Sequence, residues 1–328
     1  KRTMRKESML FMALILASLF PIIPVIYGDT LETVLTIANV PPYILRADIN
    51  VFVNTGDAAI TLSENSTVQV QCNATLNDAN GWQDISSLNG TLYNTHTATH
   101  GTANDNNFHY TNTSCNVFSG SGNIRAGVCE FTTFYYAQNS SAWQCNLTVY
   151  DAGVSGSSAN SSNSTYGNFS VNALTALNIP ATIMFGTMNP GDTSAINKTN
   201  VTNTGNTILD LSIYGYANNA TDSPNAMNCT LGTNKNISLY FIRYNVTAGR
   251  LNNCASADFS WTANYWNLTN LTNAKNWTQF TLPPRTVDAA GGDAGNYTCW
   301  ILKVPSAGES DIGGTCRGII SIAAFINE

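Results

Sequence analysis

The chain has 328 residues, of which only 10% are charged, with 14 Lys and Arg against 20 Asp and Glu and a net charge of −6. This balance argues against nucleic acid as a partner, because such binding depends on clustered cations that release counterions from phosphates, and the basic residues after position 28 are scattered singly. Ser, Thr and Asn carry most of the polarity, so solubility rests on hydroxyls, amides and whatever is attached to them.

Residues 1–28 stand apart. Lys1, Arg2, Arg5 and Lys6 precede an apolar run from Met9 to Tyr27 that is broken only by Ser18, Pro21 and Pro24, the order of a secretory signal. Cleavage after Gly28, leaving a mature chain from about Asp29, is the expected fate. The alternative is a membrane anchor helix through residues 9–27, with the basic flank cytoplasmic and the remainder outside. Four of the basic residues and one acidic residue lie in this segment, leaving 10 Lys and Arg against 19 Asp and Glu beyond it.

The remaining length of about 300 residues suits two domains. Helical periodicity is almost absent. Leu31 to Ile37 alternates, and so do Thr67–Leu76, Val128–Tyr136, Trp143–Tyr150 and Leu209–Tyr214, separated by Gly, Asn, Asp and Pro clusters. Alternation puts one face of each strand in a core and the other in water, and many short strands of this kind predict antiparallel β-sandwiches. The low-complexity stretch Ala152–Thr165 reads as a linker or as a long hairpin loop. Because Phe169–Leu177 alternates again, it is expected as the last strand of a first domain over 29–174, with a second over 178–328.

Eight cysteines fall into two groups of four: Cys72, Cys115, Cys129 and Cys145, then Cys229, Cys254, Cys299 and Cys316. No two are close enough in sequence for a CxxC metal pair, so disulfides within each domain are expected. Four cysteines allow three pairings. The expected ones are Cys72–Cys145, Cys115–Cys129, Cys229–Cys254 and Cys299–Cys316.

Nineteen asparagines begin Asn-x-Ser/Thr sequons: Asn65, Asn73, Asn89, Asn112, Asn139, Asn146, Asn160, Asn163, Asn168, Asn197, Asn200, Asn219, Asn228, Asn236, Asn245, Asn267, Asn270, Asn276 and Asn296. A composition this rich in Asn, Ser and Thr produces sequons by itself. The export signal and the cysteines nevertheless point to a compartment where glycosylation occurs, so N-glycosylation of several is expected.

Two stretches carry a family resemblance. Gln71–Ser87, with the later Cys129–Cys145, resembles the immunoglobulin-like β-sandwich repeats of exported archaeal surface proteins. Met184–Thr193, followed by Asn203-Thr-Gly-Asn206, is similar to surface domains with an NxGN turn, a pattern also found in secreted sandwich proteins that polymerise into fibres. The resemblance implies two tandem immunoglobulin-like β-sandwiches, a structural or adhesive role, and no catalytic residues to carry over. The residues make sense without it. Trp143 alternates onto the strand face of Cys145, where its ring has a disulfide to pack against, and Asn203–Asn206 supplies Gly and Asn where a turn needs positive φ.

Chemistry is sparse. His96 and His100 have the i, i+4 spacing of a helical metal pair, with His109 nearby, but Thr97 stands where a zincin has Glu and the surroundings predict a loop. Asn77-Asp-Ala-Asn-Gly81 with Asp84 offers oxygens around a glycine turn. It lacks the closing Glu of an EF-hand, so it reads first as an inter-strand turn, with Asp78, Asn80 and Asp84 as the candidate ligands if calcium binds. No Gly-x-Ser-x-Gly elbow or phosphate loop occurs. Tyr265 and Trp266, with Trp261 and Trp277, form an aromatic group suited either to sugar stacking or to a core.

The sequence therefore predicts an all-β, non-enzymatic, N-glycosylated extracellular protein of the cell surface. The expected role is a subunit of an envelope layer (S-layer) or filament, and the alternative is an adhesin or carbohydrate-binding module. Expected partners are further copies, other surface proteins or glycans, with no cofactor and calcium as the one candidate ion.

Overall fold

The computed structural model describes residues 31–44, 50–53, 59–152, 155–160, 168–221, 223–246, 254, 265–288, 295–309 and 311–326. The expected export segment lies outside them. Among the described residues no helix is long and apolar enough to cross a membrane. The chain divides into residues 1–38 and 39–328. Residues 31–38 carry no regular secondary structure, and all the described strands belong to the second unit.

Its first half contains β1 (Tyr43–Ile44), β2 (Asn50–Val53), β3 (Ala59–Ile60), β4 (Thr67–Asn77), β5 (Ile85–Asn94), β6 (His109–Asn112), β7 (Asn116–Ser121), β8 (Ile124–Phe134), β9 (Ser140–Asp151), β10 (Ser155–Asn160) and β11 (Asn168–Val171). One sheet runs β1-β4-β8-β7, with β2 also on β4. The other runs β3-β11-β9-β5-β6, with β10 also on β9. Alternation decides which side chains meet between them. Val70, Cys72, Ala74 and Leu76 of β4 and Trp143, Cys145, Leu147 and Val149 of β9 all point into one apolar core. The Cys72–Cys145 disulfide links β4 to β9, and so crosses from sheet to sheet. Cys115–Cys129 ties the start of β7 to β8 within the first sheet. Gly90 of β5 faces that bond, and a Cβ there would lie 2.6 Å from the Cys129 sulfur.

The second half contains β12 (Leu177–Asn178), β13 (Asn197–Asn203), β14 (Leu209–Tyr216), β15 (Asn225–Leu231), β16 (Asn236–Ser238), β17 (Ile242–Val246), β18 (Trp266–Asn267), β19 (Lys275–Leu282), β20 (Gly295–Leu302), β21 (Gly313–Arg317) and β22 (Ile319–Ile326). They form sheets β12-β13-β20-β17-β18, β19-β14-β22 and β16-β15-β21. A second apolar core, centred on Leu211, Ile213, Tyr244, Phe280 and Trp300, lies among them. The protein is thus all-β, as the alternation predicts, with two cores in one compact unit.

The disulfides of this half correct the expected pairing. Cys229 is joined to Cys316, and Cys254 to Cys299, in place of Cys229–Cys254 and Cys299–Cys316. Strand order is the reason. β15 pairs with β21, whose register sets Cys229 directly opposite Cys316, whereas Cys299 sits on β20 in a different sheet. Pairing by nearness in sequence fails because the neighbour of β15 arrives late in the chain.

The two halves meet at Asn203–Asn206. The Asn203 amide donates to the carbonyls of Thr207, Leu282 and Pro283, and its oxygen accepts from the Gly205 N–H. Asn206 reaches the other way. Its Nδ2 donates to the carbonyls of Ala137 and Asn172, and its Oδ1 accepts from the Leu174 N–H at 2.7 Å. Gly205 is required here by proximity and not by the positive φ expected from sequence: its φ is outside that region, and a Cβ would sit 1.9 Å from the Leu174 carbonyl oxygen. Beside this turn the Arg285 guanidinium lies 5.3 Å from the centre of the Tyr135 ring, while the Tyr135 hydroxyl donates to Asp288.

Removing the Asn206 amide leaves several buried backbone groups unpaired. Asn206→Ala is expected to cost roughly 1–3 kcal/mol in denaturant unfolding and to widen the distribution of angles between the halves in small-angle scattering. An unchanged scattering profile together with unchanged stability would refute a structural role for this amide at the joint.

Candidate functional site

Among the described residues the β4–β5 turn gathers the most concentrated set of hard ligands. Asp78 follows β4 directly, Asp84 precedes β5 directly and Asp151 closes β9, where its register partner is Ile85. One carboxylate oxygen from each lies within 4.8 Å of the others. Gly81, at φ 118°, lets the chain reverse between the first two, and the Gly81 and Asp84 N–H groups donate to the carbonyls of Asp78 and Gly81. The Asp78 N–H donates to the Asn123 carbonyl, the Trp82 N–H to that of Gly122 and the Ala152 N–H to that of Asp84, so the turn is fastened to both sheets.

Asp78 and Asp84, two of the three residues expected from sequence, are therefore brought together. Asn80 is exposed, and its side-chain oxygen accepts from the Val40 N–H at 2.8 Å. The residue that sequence reading missed is Asp151. A signal for it existed: Asp78 lies six residues after Cys72, and Asp151 six after Cys145. Two strands bonded at those cysteines and running the same way deliver both carboxylates to one end of the sandwich.

The histidines do not converge on a metal. His96 and His100 lie exposed in a turn-rich loop, whereas His109 is fully buried at the start of β6, its Nε2 3.3 Å from the His100 carbonyl. Burial holds the His109 imidazole below its ordinary value of 6.5, because the charged form loses its solvation. The sign follows directly. The unfolded chain takes up this proton first on acidification, so the contribution of His109 is full above about 6.5 and is lost as pH falls toward the lower folded value. The urea midpoint should drop between about pH 7.5 and 5.5 in the wild type and drop less in His109→Gln. Parallel profiles would assign the pH dependence to other groups.

Of the aromatic group expected over Trp261–Trp277, one member is buried in the core and two, Tyr265 and Trp266, are half-buried. Trp261 lies outside the described residues. Trp277 is buried and donates from its indole N–H to the Tyr244 hydroxyl, and Tyr244 stacks on Trp300. Trp266 is half-buried, edge-on to Trp277, with the Lys275 ammonium 4.4 Å from its ring centre.

Among the sequons, Asn65, Asn139, Asn200, Asn219, Asn267 and Asn276 are exposed, while Asn73, Asn89, Asn112, Asn197, Asn228, Asn236, Asn270 and Asn296 are half-buried. Asn146 and Asn245 are buried, on β9 and β17, so neither amide is on the surface of the folded chain. The side chains of Asn160, Asn163 and Asn168 lie outside the described part of the structure.

No family model and no curated protein matches the sequence. A solved structure from a study of a chaperone–tip adhesin complex in CFA/I fimbriae biogenesis is similar over 88% of this chain and 91% of its own, at 10% identity and a TM-score of 0.31. Likeness at that level carries no argument about function.

Proposed function

We propose that this chain is a non-enzymatic, N-glycosylated structural subunit of an extracellular surface layer or filament. Subunits associate when the segment around Leu31–Ile37 is laid along a sheet edge of a neighbouring copy. The observation that carries the reading is the state of that segment: Leu31, Val34, Leu35 and Ile37 are 90%, 81%, 84% and 76% exposed. An alternating apolar segment left in water has the composition of a strand that lacks its sheet.

A suitable edge exists. Among the described residues β22 pairs with β14 alone, over all eight of its positions, and its sequence Ile-Ile-Ser-Ile-Ala-Ala-Phe-Ile has none of the charges or prolines that usually guard an edge. Four disulfides and an export-type segment support an oxidising, extracytoplasmic location. The exposed sequons support glycosylation.

Deleting residues 29–38 removes the segment and spares Asn39 and Val40, which bond to Asp151 and Asn80. The truncated chain should remain monodisperse in electron microscopy at concentrations where the mature chain assembles, with its melting temperature unchanged. Assembly that survives the deletion refutes the strand-donation reading.

A second reading, a glycan-binding adhesin module, rests on Trp266, a half-buried member of the aromatic group. Lys275 already covers that ring, which favours packing. Trp266→Ala should therefore lower stability, toward the roughly 3–5 kcal/mol of a lost core aromatic, and leave glycan-array binding unchanged. Lost glycan binding at unchanged stability would favour the adhesin.

A further inference from the structure

At one end of the first sandwich three carboxylates converge, and one of them, Asp78, keeps a buried oxygen without a hydrogen-bond partner. Asp78 is completely buried, Asp151 is nearly so and Asp84 is half-buried. The Asp78 Oδ1 accepts from the Asn80 N–H at 2.7 Å, but its Oδ2 is buried in the cluster with no hydrogen-bond partner. The Asn39 amide donates to the Asp151 Oδ2 at 2.7 Å. Neither Asp78 nor Asp84 has an ion-pair partner among the described residues. Arg125, which also passes the β4–β5 turn, uses its Nε and one terminal nitrogen on the carbonyls of Phe118, Trp82 and Ile85.

A buried carboxylate oxygen with no donor is costly, and a second and third negative charge within 4.8 Å raise that cost. A hard cation ligated by oxygen removes both penalties at once. The donor set contains no nitrogen or sulfur, which disfavours zinc and copper. Its three carboxylates come from the two ends of a turn and a strand end, and this irregular geometry suits the variable coordination of calcium better than the strict octahedron of magnesium.

We propose that Asp78, Asp84 and Asp151 form a calcium site, with water completing the shell. The ion would fasten the end of β4 to the β5–β9 pair, so that this end of the sandwich is tied across its two sheets as the Cys72–Cys145 bond ties its middle. It would also fix the carboxylate that holds Asn39, the first residue of the second unit. Such a site does not depend on the assembly reading, because an isolated monomer would bind the ion equally well.

The test uses the whole glycosylated mature chain, stripped with chelator and titrated with calcium chloride by calorimetry, alongside thermal melts in calcium, magnesium or chelator. One site is expected, with a dissociation constant of about 0.1–1 mM or tighter, the range of extracellular calcium modules, and a melting temperature raised by calcium more than by magnesium. Asp84→Asn should weaken binding at least about tenfold. In chelator that variant should melt no lower than wild type, since one repulsive charge is gone, which separates loss of the ion from failure to fold. Absence of calorimetric heat and of a melting shift at saturating calcium would overturn the proposal, as would a calcium-induced shift as large in Asp84→Asn and Asp151→Asn as in the wild type.

Discussion

The arrangement of this molecule depends on how two β-sandwich cores, poor in charge and rich in Asn, are held as one body. The solution is the Asn203–Asn206 turn. The amide of Asn203 satisfies carbonyls of the second half and that of Asn206 satisfies those of the first, while Gly205 between them lets the Leu174 carbonyl approach where any Cβ would clash. Both asparagines are buried, so these bonds compete with no water and lose little to salt. A flexible linker would leave the halves free to reorient. Here the linker itself, Asn172 to Leu174, is captured by hydrogen bonds and becomes part of the interface.

Much of the fold was legible because side-chain alternation is a local property. Thr67–Leu76 and Trp143–Tyr150 fall within β4 and β9, with the same residues turned inward as the pattern requires. What alternation cannot give is strand neighbours. The pairing of Cys229 with Cys316 depends on β15 meeting β21, a contact across 87 residues that no window of sequence contains. The NxGN turn was recognisable as a turn, yet its work at the joint was not, because the partners of Asn206 belong to segments 34 and 69 residues away. Asp151 escaped for the same reason: its relation to Asp78 exists only once β4 and β9 are laid across from each other.

The scarcity of charge gives the few buried polar groups unusual weight. The Arg285–Asp288 ion pair lies beside the joint, and its arginine also covers Tyr135. Elsewhere, polarity is carried largely by amides and hydroxyls facing outward from strands. This divides the sequons into kinds: Asn276 and Asn200 stand on outward faces, whereas Asn245 is a core residue whose amide oxygen is used by its own neighbour, Val246. A sequon count thus overstates the number of exposed sequon asparagines wherever a strand turns its Asn inward.

The late arrival of β21 and β22 also orders the birth of the molecule. β14 lies between β19 and β22, and Cys229 has no partner until Cys316 emerges, so the second sandwich stays open until residues 313–326 have been made. The first sandwich has its described strands by residue 171 and can close while the rest of the chain is still in transit. Cys254 can join Cys299 before Cys316 emerges, whereas Cys229 waits for its partner with Cys254 as its nearest cysteine in sequence. A Cys229–Cys254 bond formed in that interval would have to be undone before both native pairs of this half could close.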